Sequence, residues 1–262
     1  MSDSPKLLVS LENGVKRITF NRPERKNPID GEMTAAFRAA LDSAAGDGSR
    51  VVILTGAGAA FCSGADLSAF RPGTIAGYDV TTELREGYNP CIRAMRELPI
   101  PVIGRIHGPA AGIGANIALA CDMLIASEQA VFVQAFVKIG LMPDGGGTWF
   151  LPRLTGYQKA FELMVTGDPL NARDALAMGL VNHVVAAEEL DATVDQLATR
   201  LAQMPPIAVA RIKAGLNHGM NSGLAAALDH EAVNQGVCFR SQDFAEGVNA
   251  FLQKRKPIFK GQ

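Results

Sequence analysis

The sequence predicts an α/β fold, because short apolar segments of strand character alternate with segments in which apolar residues recur at helical spacing. The chain has 262 residues, of which 48% are hydrophobic, so it has enough apolar material for a sizeable core. Its net charge is only -1, and the sequence contains no stripe of basic residues. We therefore expect a small-molecule ligand as the main partner, with no nucleic acid and no membrane surface.

The predicted elements follow one another in chain order. Strands are expected at "VKRITF", "VVILTG", "PVIGRIHG" and "DMLIAS", and helices at "GEMTAAFRAALDSAA" and "TTELREGYNPCIRAMREL". Beyond about residue 186 the apolar residues keep helical spacing, so the C-terminal quarter is predicted to be helical. We expect a core over residues 1–200 and a helical region over residues 201–262, whose apolar faces pack on the core or on another subunit.

Targeting and redox signals point to the cytoplasm. The N-terminus "MSDSPKLLVS" lacks a basic region followed by an apolar stretch, and no apolar run reaches the roughly 18 residues that span a bilayer. The four cysteines are widely spaced and form no CxxC pair. This spacing is typical of reduced thiols, and we expect no metal site.

Two glycine-rich turns follow predicted strands, in "VVILTGAGAAFCSGADL" and "HGPAAGIGANIALACD". Each turn offers free backbone N–H groups, and the second leads into an apolar helix expected to end near Cys121. If the turns lie side by side, one N–H from each could point at a single oxygen and form an oxyanion hole. On spacing alone, two ordinary tight turns explain the pattern equally well.

The stretch "LMPDGGGTWFLPR" places Asp144 between a proline and three consecutive glycines. One interpretation is a helix N-cap, in which Asp144 accepts hydrogen bonds from a helix beginning near Thr148. The glycines favour a second interpretation, because they allow left-handed backbone and the close approach of another molecule.

Several segments together resemble the crotonase, or enoyl-CoA hydratase/isomerase, superfamily. They are "FNRPERKNPID", "FCSGADL", "HGPAAGIGANIALACD", "MPDGGGTWFLPRLTG", "GLVNHVV" and "AFLQKRKPIFKG", in that family's order and spacing. The resemblance implies a crotonase-like spiral of ββα units with a helical C-terminal region that builds trimers, often paired as hexamers. It implies an acyl-CoA thioester substrate and no separate cofactor, since coenzyme A enters as part of the thioester.

The resemblance also assigns residues to roles. The oxyanion donors would be the backbone N–H groups of Ala65 and Ile113, the latter at a position that is usually glycine, where the larger side chain would narrow the acyl site. Residues expected to lie along coenzyme A are Glu24, Arg25, Lys26, Ser63, Asp66, Leu67 and the C-terminal pair Phe259 and Lys260.

The family's chemistry depends on its carboxylates. The two glutamates of a hydratase fall on Asn116 and Phe136, neither of which can take a proton from water. Asp144 falls where isomerases of the family place their acid, and the resemblance is closest to the 1,2-epoxyphenylacetyl-CoA isomerase branch. We expect burial to raise the pKa of Asp144 and the glycines Gly145–Gly147 to leave room for the acyl chain.

The predicted function is thus an acyl-CoA isomerase that moves a proton through a stabilised enolate. An enoyl-CoA hydratase and a non-catalytic CoA-binding protein are the alternatives. Asp144 counts against the non-catalytic alternative.

Overall fold

The structure is a computed structural model that describes residues 4–69 and 77–262. Its strands are β1 (Leu7–Glu12), β2 (Val15–Phe20), β3 (Val51–Gly56), β4 (Val102–Ile106), β5 (Pro109–Ala111), β6 (Met123–Ser127), β7 (Val131–Val133), β8 (Leu170–Asn171) and β9 (His183–Val185). A six-stranded sheet has the order β1-β2-β3-β4-β6-β9, and a three-stranded sheet has the order β5-β7-β8. Only the β1–β2 and β7–β8 pairs among these are antiparallel.

The helices lie between and after these strands. They are α1 (Gly31–Ala44), α2 (Val80–Glu83), α3 (Asn89–Glu97), α4 (Ile113–Ala120), α5 (Gly147–Thr155), α6 (Tyr157–Thr166), α7 (Ala172–Ala177), α8 (Leu190–Ala202), α9 (Pro206–Gly219), α10 (Leu224–Phe239) and α11 (Gln242–Leu252). A π-helical turn, Leu84–Tyr88, joins α2 to α3. The alternation of strands and helices and the helical C-terminal region agree with the sequence prediction.

The central strands of the larger sheet are buried on both faces. All six residues of β3 are buried, as the apolar run "VVIL" at its start predicts for a parallel strand covered by helices on each side. Leu190 and Val194 of α8 pack on one face against Val51 and Ile53. The larger core cluster lies on the other face, with α1, α3 and α4.

The C-terminal helices bury much less of their apolar surface. No residue of α10 is buried, and α9 to α11 line a groove of about 1260 Å³. One anchor to the core is Lys213 of α9, whose Nζ donates hydrogen bonds to the carbonyl of Met95 (2.7 Å) and to Asp122 Oδ2 (2.7 Å). Burial lowers the pKa of Lys213, and the Asp122 carboxylate opposes that shift.

Candidate active site

The two glycine-rich turns lie side by side. Cys62 and Ala110 form an isolated parallel bridge, and the N–H of Ala111 donates to the carbonyl of Cys62 at 2.9 Å. A methyl group added at Gly64 would lie 3.1 Å from the carbonyl oxygen of Ala111, and one at Gly114 would lie 2.6 Å from that of Cys62. Backbone meets backbone at this point, so glycine is required on both turns. The sequence had left this adjacency open.

The bridge between Ile29 and Ala65 determines where the Ala65 N–H points. Ile29 donates to the carbonyl of Gly64 and accepts from the N–H of Asp66, each at 2.8 Å. In a parallel pair of this kind the N–H of the middle residue, Ala65, is directed away from the partner strand. It therefore remains available to a ligand.

Ile113 begins α4, and its N-cap, Gly112, provides no side-chain cap. Within the described residues, no hydrogen bond is made by the N–H of Ala65 or of Ile113. The positive end of α4 adds to the attraction for an anion. The Ile113 side chain is only 1% exposed and would collide through Cδ1 with a methyl group at Gly145, so it packs beneath the Asp144 turn.

Asp144 does not cap a helix, so that interpretation is wrong. Helix α5 begins at Gly147, its N-cap is Gly146 in left-handed conformation, and no side chain caps it. The Asp144 carboxylate oxygen Oδ1 is buried and, within the described residues, has no hydrogen-bond partner. Burial raises the pKa of Asp144 to about 6, its own backbone N–H opposes this, and the charge of Glu83 adds to it. The expected rise in the pKa is thus present.

The three glycines of the turn are explained by packing. Gly145 and Gly146 have φ values of +55° and +83°, which side-chain-bearing residues rarely adopt. A methyl group at Gly147 would lie 2.5 Å from Nδ2 of Asn116, and one at Gly146 would lie 2.7 Å from the Phe150 ring. These glycines let the backbone rest on its own protein neighbours, while room for an acyl chain stays a prediction.

The two positions that replace the hydratase glutamates are both buried. Asn116 is 0% exposed, and its Nδ2 donates to the backbone carbonyl of Asp144 at 2.7 Å. Gln134, which sequence reasoning missed, donates from Nε2 to Asn116 Oδ1 at 2.8 Å. Phe136 is 7% exposed, and its Cζ would lie 3.8 Å from a methyl group at Gly112. Asn116 and Phe136 thus lie beside the two structural units of the site, the Asp144 turn and the Gly112 turn.

The loop expected to lie along coenzyme A is folded onto the first turn. Arg25 makes two hydrogen bonds to Asp66, at 3.0 and 3.1 Å, and Arg22 lies 2.8 Å from the same carboxylate. Burial acts to raise the pKa of Asp66, but hydrogen bonds from Ser68 and the charge of Arg22 outweigh it and hold the pKa well below its usual range. The Asp66 carboxylate is therefore committed to protein cations, and its side chain is 8% exposed.

Asn27 is a second residue that sequence reasoning missed. Its side chain is buried, and Nδ2 donates to the carbonyls of Ala57 and Ala60 at 2.8 and 2.7 Å. Lys26 and Asn27 both have positive φ, at 63° and 57°. Asn27 thus ties this strained loop to the segment after β3. The N–H of Ser63 donates to the carbonyl of Lys26 at 2.9 Å, while Glu24 and Leu67 are exposed.

The C-terminal pair lies with the last helices. The N–H groups of Lys260 and Gly261 donate to the buried carboxylate of Asp243, at 2.7 and 2.9 Å. Phe259 lies near Gly247 and lines the groove between α9 and α11. In the described residues of the chain, no hydrogen bond or ion pair joins Phe259 or Lys260 to either glycine-rich turn.

The family profile described as "Enoyl-CoA hydratase/isomerase" matches residues 10–262. The chain belongs to the enoyl-CoA hydratase/isomerase family. The predicted superfamily and its fold are therefore confirmed.

Individual relatives of this enoyl-CoA hydratase/isomerase family member carry different activity names. This chain is 42% identical over 258 residues to a 1,2-epoxyphenylacetyl-CoA isomerase of Escherichia coli, and the match covers 98% of each chain. It is also 42% identical over 252 residues to a Rhodobacter capsulatus protein named "Probable enoyl-CoA hydratase", covering 96% of each. The crystal structure of an enoyl-CoA hydratase from Polaromonas sp. JS666 matches with a TM-score of 0.92 at 33% identity, covering 97% of this chain and 99% of that one.

Because hydratase and isomerase names occur at equal identity, similarity alone does not choose between the two activities for this family member. The Asp144 turn and its neighbours are the features that distinguish the two activities. Among the described residues, no helix combines the length and apolar character needed to cross a bilayer.

Proposed function

We propose that this enoyl-CoA hydratase/isomerase family member is an acyl-CoA isomerase in which Asp144 transfers the proton. The observation that carries the proposal is the half-buried Asp144, whose buried carboxylate oxygen Oδ1 has no partner among the described residues and whose pKa is raised to about 6. A carboxylate with that pKa is largely ionised near neutral pH, yet it is a stronger base than an exposed Asp.

The thioester carbonyl oxygen would be held by the N–H groups of Ala65 and Ile113. Both groups lack an acceptor within the described residues, and they come from two turns whose backbones are in contact. Such donors stabilise negative charge as it develops on the oxygen. The class of substrate, an acyl-CoA, comes from the family.

For a 3-enoyl thioester, the Asp144 carboxylate takes a proton from C2, and the electron pair of that C–H bond passes into the carbonyl to form a dienolate. The resulting carboxylic acid returns the proton to C4 as the dienolate collapses, so the double bond moves to C2–C3. The reaction needs one carboxylate and no water. With an epoxide on the carbon next to the α-carbon, the electron pair of the enolate would form a double bond to that carbon as its C–O bond breaks. The carboxylic acid of Asp144 would then give its proton to the released oxygen, so the mass stays the same.

Hydration is the second candidate activity, and the observation that favours it is the charge of Glu83. Its charge acts on Asp144, so a second carboxylate lies within electrostatic range of the site. Asn116 and Phe136 argue against hydration, since the amide is committed to the backbone of Asp144 and the ring is buried. A non-catalytic role leaves unexplained why Asp144 keeps a buried oxygen with no hydrogen-bond partner among the described residues, which is costly to stability.

The test is incubation with 3-hexenoyl-CoA, 2-hexenoyl-CoA and epoxyphenylacetyl-CoA, followed by mass spectrometry and ultraviolet spectra. An isomerase converts the 3-enoyl thioester or the epoxide without a change of mass. A hydratase adds the mass of one water to the 2-enoyl thioester. Addition of water without isomerisation would overturn the proposal, and binding without any conversion would support the non-catalytic alternative.

A further inference from the structure

Two buried amides connect the interior of the protein to the Asp144 turn. Gln134 is 6% exposed and Asn116 is 0% exposed. Gln134 Nε2 donates to Asn116 Oδ1 at 2.8 Å, and Asn116 Nδ2 donates to the Asp144 carbonyl at 2.7 Å. Since Gln134 presents a donor to Asn116, the Asn116 carbonyl faces Gln134 and its NH₂ group faces Asp144.

Apart from Asn116, the turn that carries Asp144 is held by the packing of its glycines on Ile113 and Phe150 and by backbone hydrogen bonds with α5. The same Asp144 carbonyl accepts the N–H of Gly147 at 3.0 Å, and the carboxylate oxygen Oδ1 has no partner in the described part of the chain. Gly145 and Gly146 follow at once, both in left-handed conformation. Glycine has more conformational freedom than any other residue, so this backbone does not fix its own shape.

We propose that Gln134 and Asn116 are positioning residues, which fix the Asp144 carboxylate relative to the N–H groups of Ala65 and Ile113 by holding the Asp144 carbonyl. This inference rests on the proposed function and adds to it the residues on which the base depends. Asn116 therefore has a role of its own at the position where a hydratase has a glutamate.

The buried side-chain oxygen of Gln134 supports this positioning role. Its Oε1 is buried without a hydrogen-bond partner in the described residues, which costs free energy of folding. An apolar residue of similar size would avoid that cost. The presence of an amide at position 134 is thus explained by its Nε2 donor group, which orients Asn116.

The variants that test the proposal are Asn116→Ala and Gln134→Leu. Asn217→Ala is a matched control, because Asn217 also donates from Nδ2 to a backbone carbonyl, that of Arg96, at 2.8 Å, but makes no hydrogen bond to the Asp144 turn in the described part of the chain. With 3-hexenoyl-CoA, kcat should fall about 10- to 100-fold in Asn116→Ala, since a displacement near 1 Å has effects of this order. KM should change less than kcat, because both amides use their hydrogen bonds within the protein, Asn116 on the Asp144 carbonyl and Gln134 on Asn116. Gln134→Leu should lower kcat as well, and the kcat of Asn217→Ala should stay close to that of the parent.

A second measurement does not depend on turnover. The pKa of the Asp144 carboxyl can be followed by carbon-13 NMR, with Asp144→Asn identifying the signal. In Asn116→Ala the released turn should admit water, so the pKa should fall from about 6 towards the ordinary Asp value. Glu83, which also acts on Asp144, is unchanged in every variant.

The outcomes separate this inference from the proposed function. If the parent converts no thioester, the proposed function fails, and the pKa of Asp144 in Asn116→Ala still decides whether the amides position the turn. A parental pKa and kcat in folded Asn116→Ala and Gln134→Leu would overturn the inference. An equal loss in Asn217→Ala would also overturn it, because the effect would then be general destabilisation. Should Asn116→Ala fail to fold, Gln134→Leu decides by the same two measurements.

Discussion

Gly147→Ala should destabilise the protein although alanine is the better helix former. Gly147 is the first residue of α5, and an added methyl group would lie 2.5 Å from Asn116 Nδ2 and 2.8 Å from its Cγ and Oδ1. The whole amide is in the way, and it cannot move without loosening its bonds to Gln134 and Asp144. Overpacking costs about 1–3 kcal/mol and a weakened hydrogen bond about 1 kcal/mol, against a helical gain of at most about 1 kcal/mol.

The expected net loss is therefore about 1–3 kcal/mol. Gly31→Ala is the matched control, since Gly31 is also the first residue of its helix and a methyl group there meets nothing within 4 Å. It should leave the free energy of unfolding unchanged or raise it slightly. Urea unfolding of both variants at one protein concentration, with equal m-values, gives the comparison.

A double-mutant cycle isolates the contact. Asn116→Ala removes the group with which the methyl collides, so Gly147→Ala should cost much less in that background, with a coupling energy of about 1–3 kcal/mol. The described packing of the turn on Asn116 would be refuted if Gly147→Ala is as stable as Gly31→Ala. It would also be refuted if the effects of the substitutions at 116 and 147 on the free energy of unfolding are additive.

Three further predictions concern pH, the C-terminal tail and assembly. Folding raises the pKa of Asp144, so the native state binds that proton more tightly and the parent should lose stability as pH rises from about 4 to about 6. In urea unfolding, Asp144→Asn should be as stable as the parent near pH 4 and more stable by about 2 kcal/mol at pH 8. An equal gain in stability at both pH values would contradict this. Asp243→Ala should free residues 257–262, speed trypsin cleavage near Lys254 and weaken CoA binding; parental cleavage and parental CoA affinity would contradict the tail contact. The exposed groove between α9 and α11 should be covered in a trimer or hexamer, and sedimentation of a stable monomer at micromolar concentration would refute that.

Much of the fold follows from the sequence because its central strands are buried on both faces. The runs at β3, β4 and β6 are nearly uninterrupted in apolar residues, so both their existence and their burial could be predicted. β1 was missed because all but one of its residues are partly or fully exposed, although Asn13 and Gly14, both with positive φ, give a recognisable hairpin signal.

The site was less predictable because it depends on contacts between distant segments. Spacing located both glycine-rich turns and Asp144, but it could not tell that the turns touch. Nor could it distinguish the capping interpretation of Asp144 from a free carboxylate, since that depends on Gly146 taking the N-cap position. Gln134 and Asn27 are single amides in ordinary surroundings, and only the folded backbone reveals which carbonyl each one faces.

The central claim is that Asp144 is the base, and the most direct measurement is exchange of the α-protons of phenylacetyl-CoA into deuterated water, followed by mass spectrometry. This thioester has no double bond to move, so exchange reports proton removal alone. The account predicts exchange by the parent that rises with pH through about 6 and falls by roughly 10²–10⁴ in Asp144→Asn with CoA binding retained. Exchange by the Asp144→Asn variant at the parental rate would contradict it.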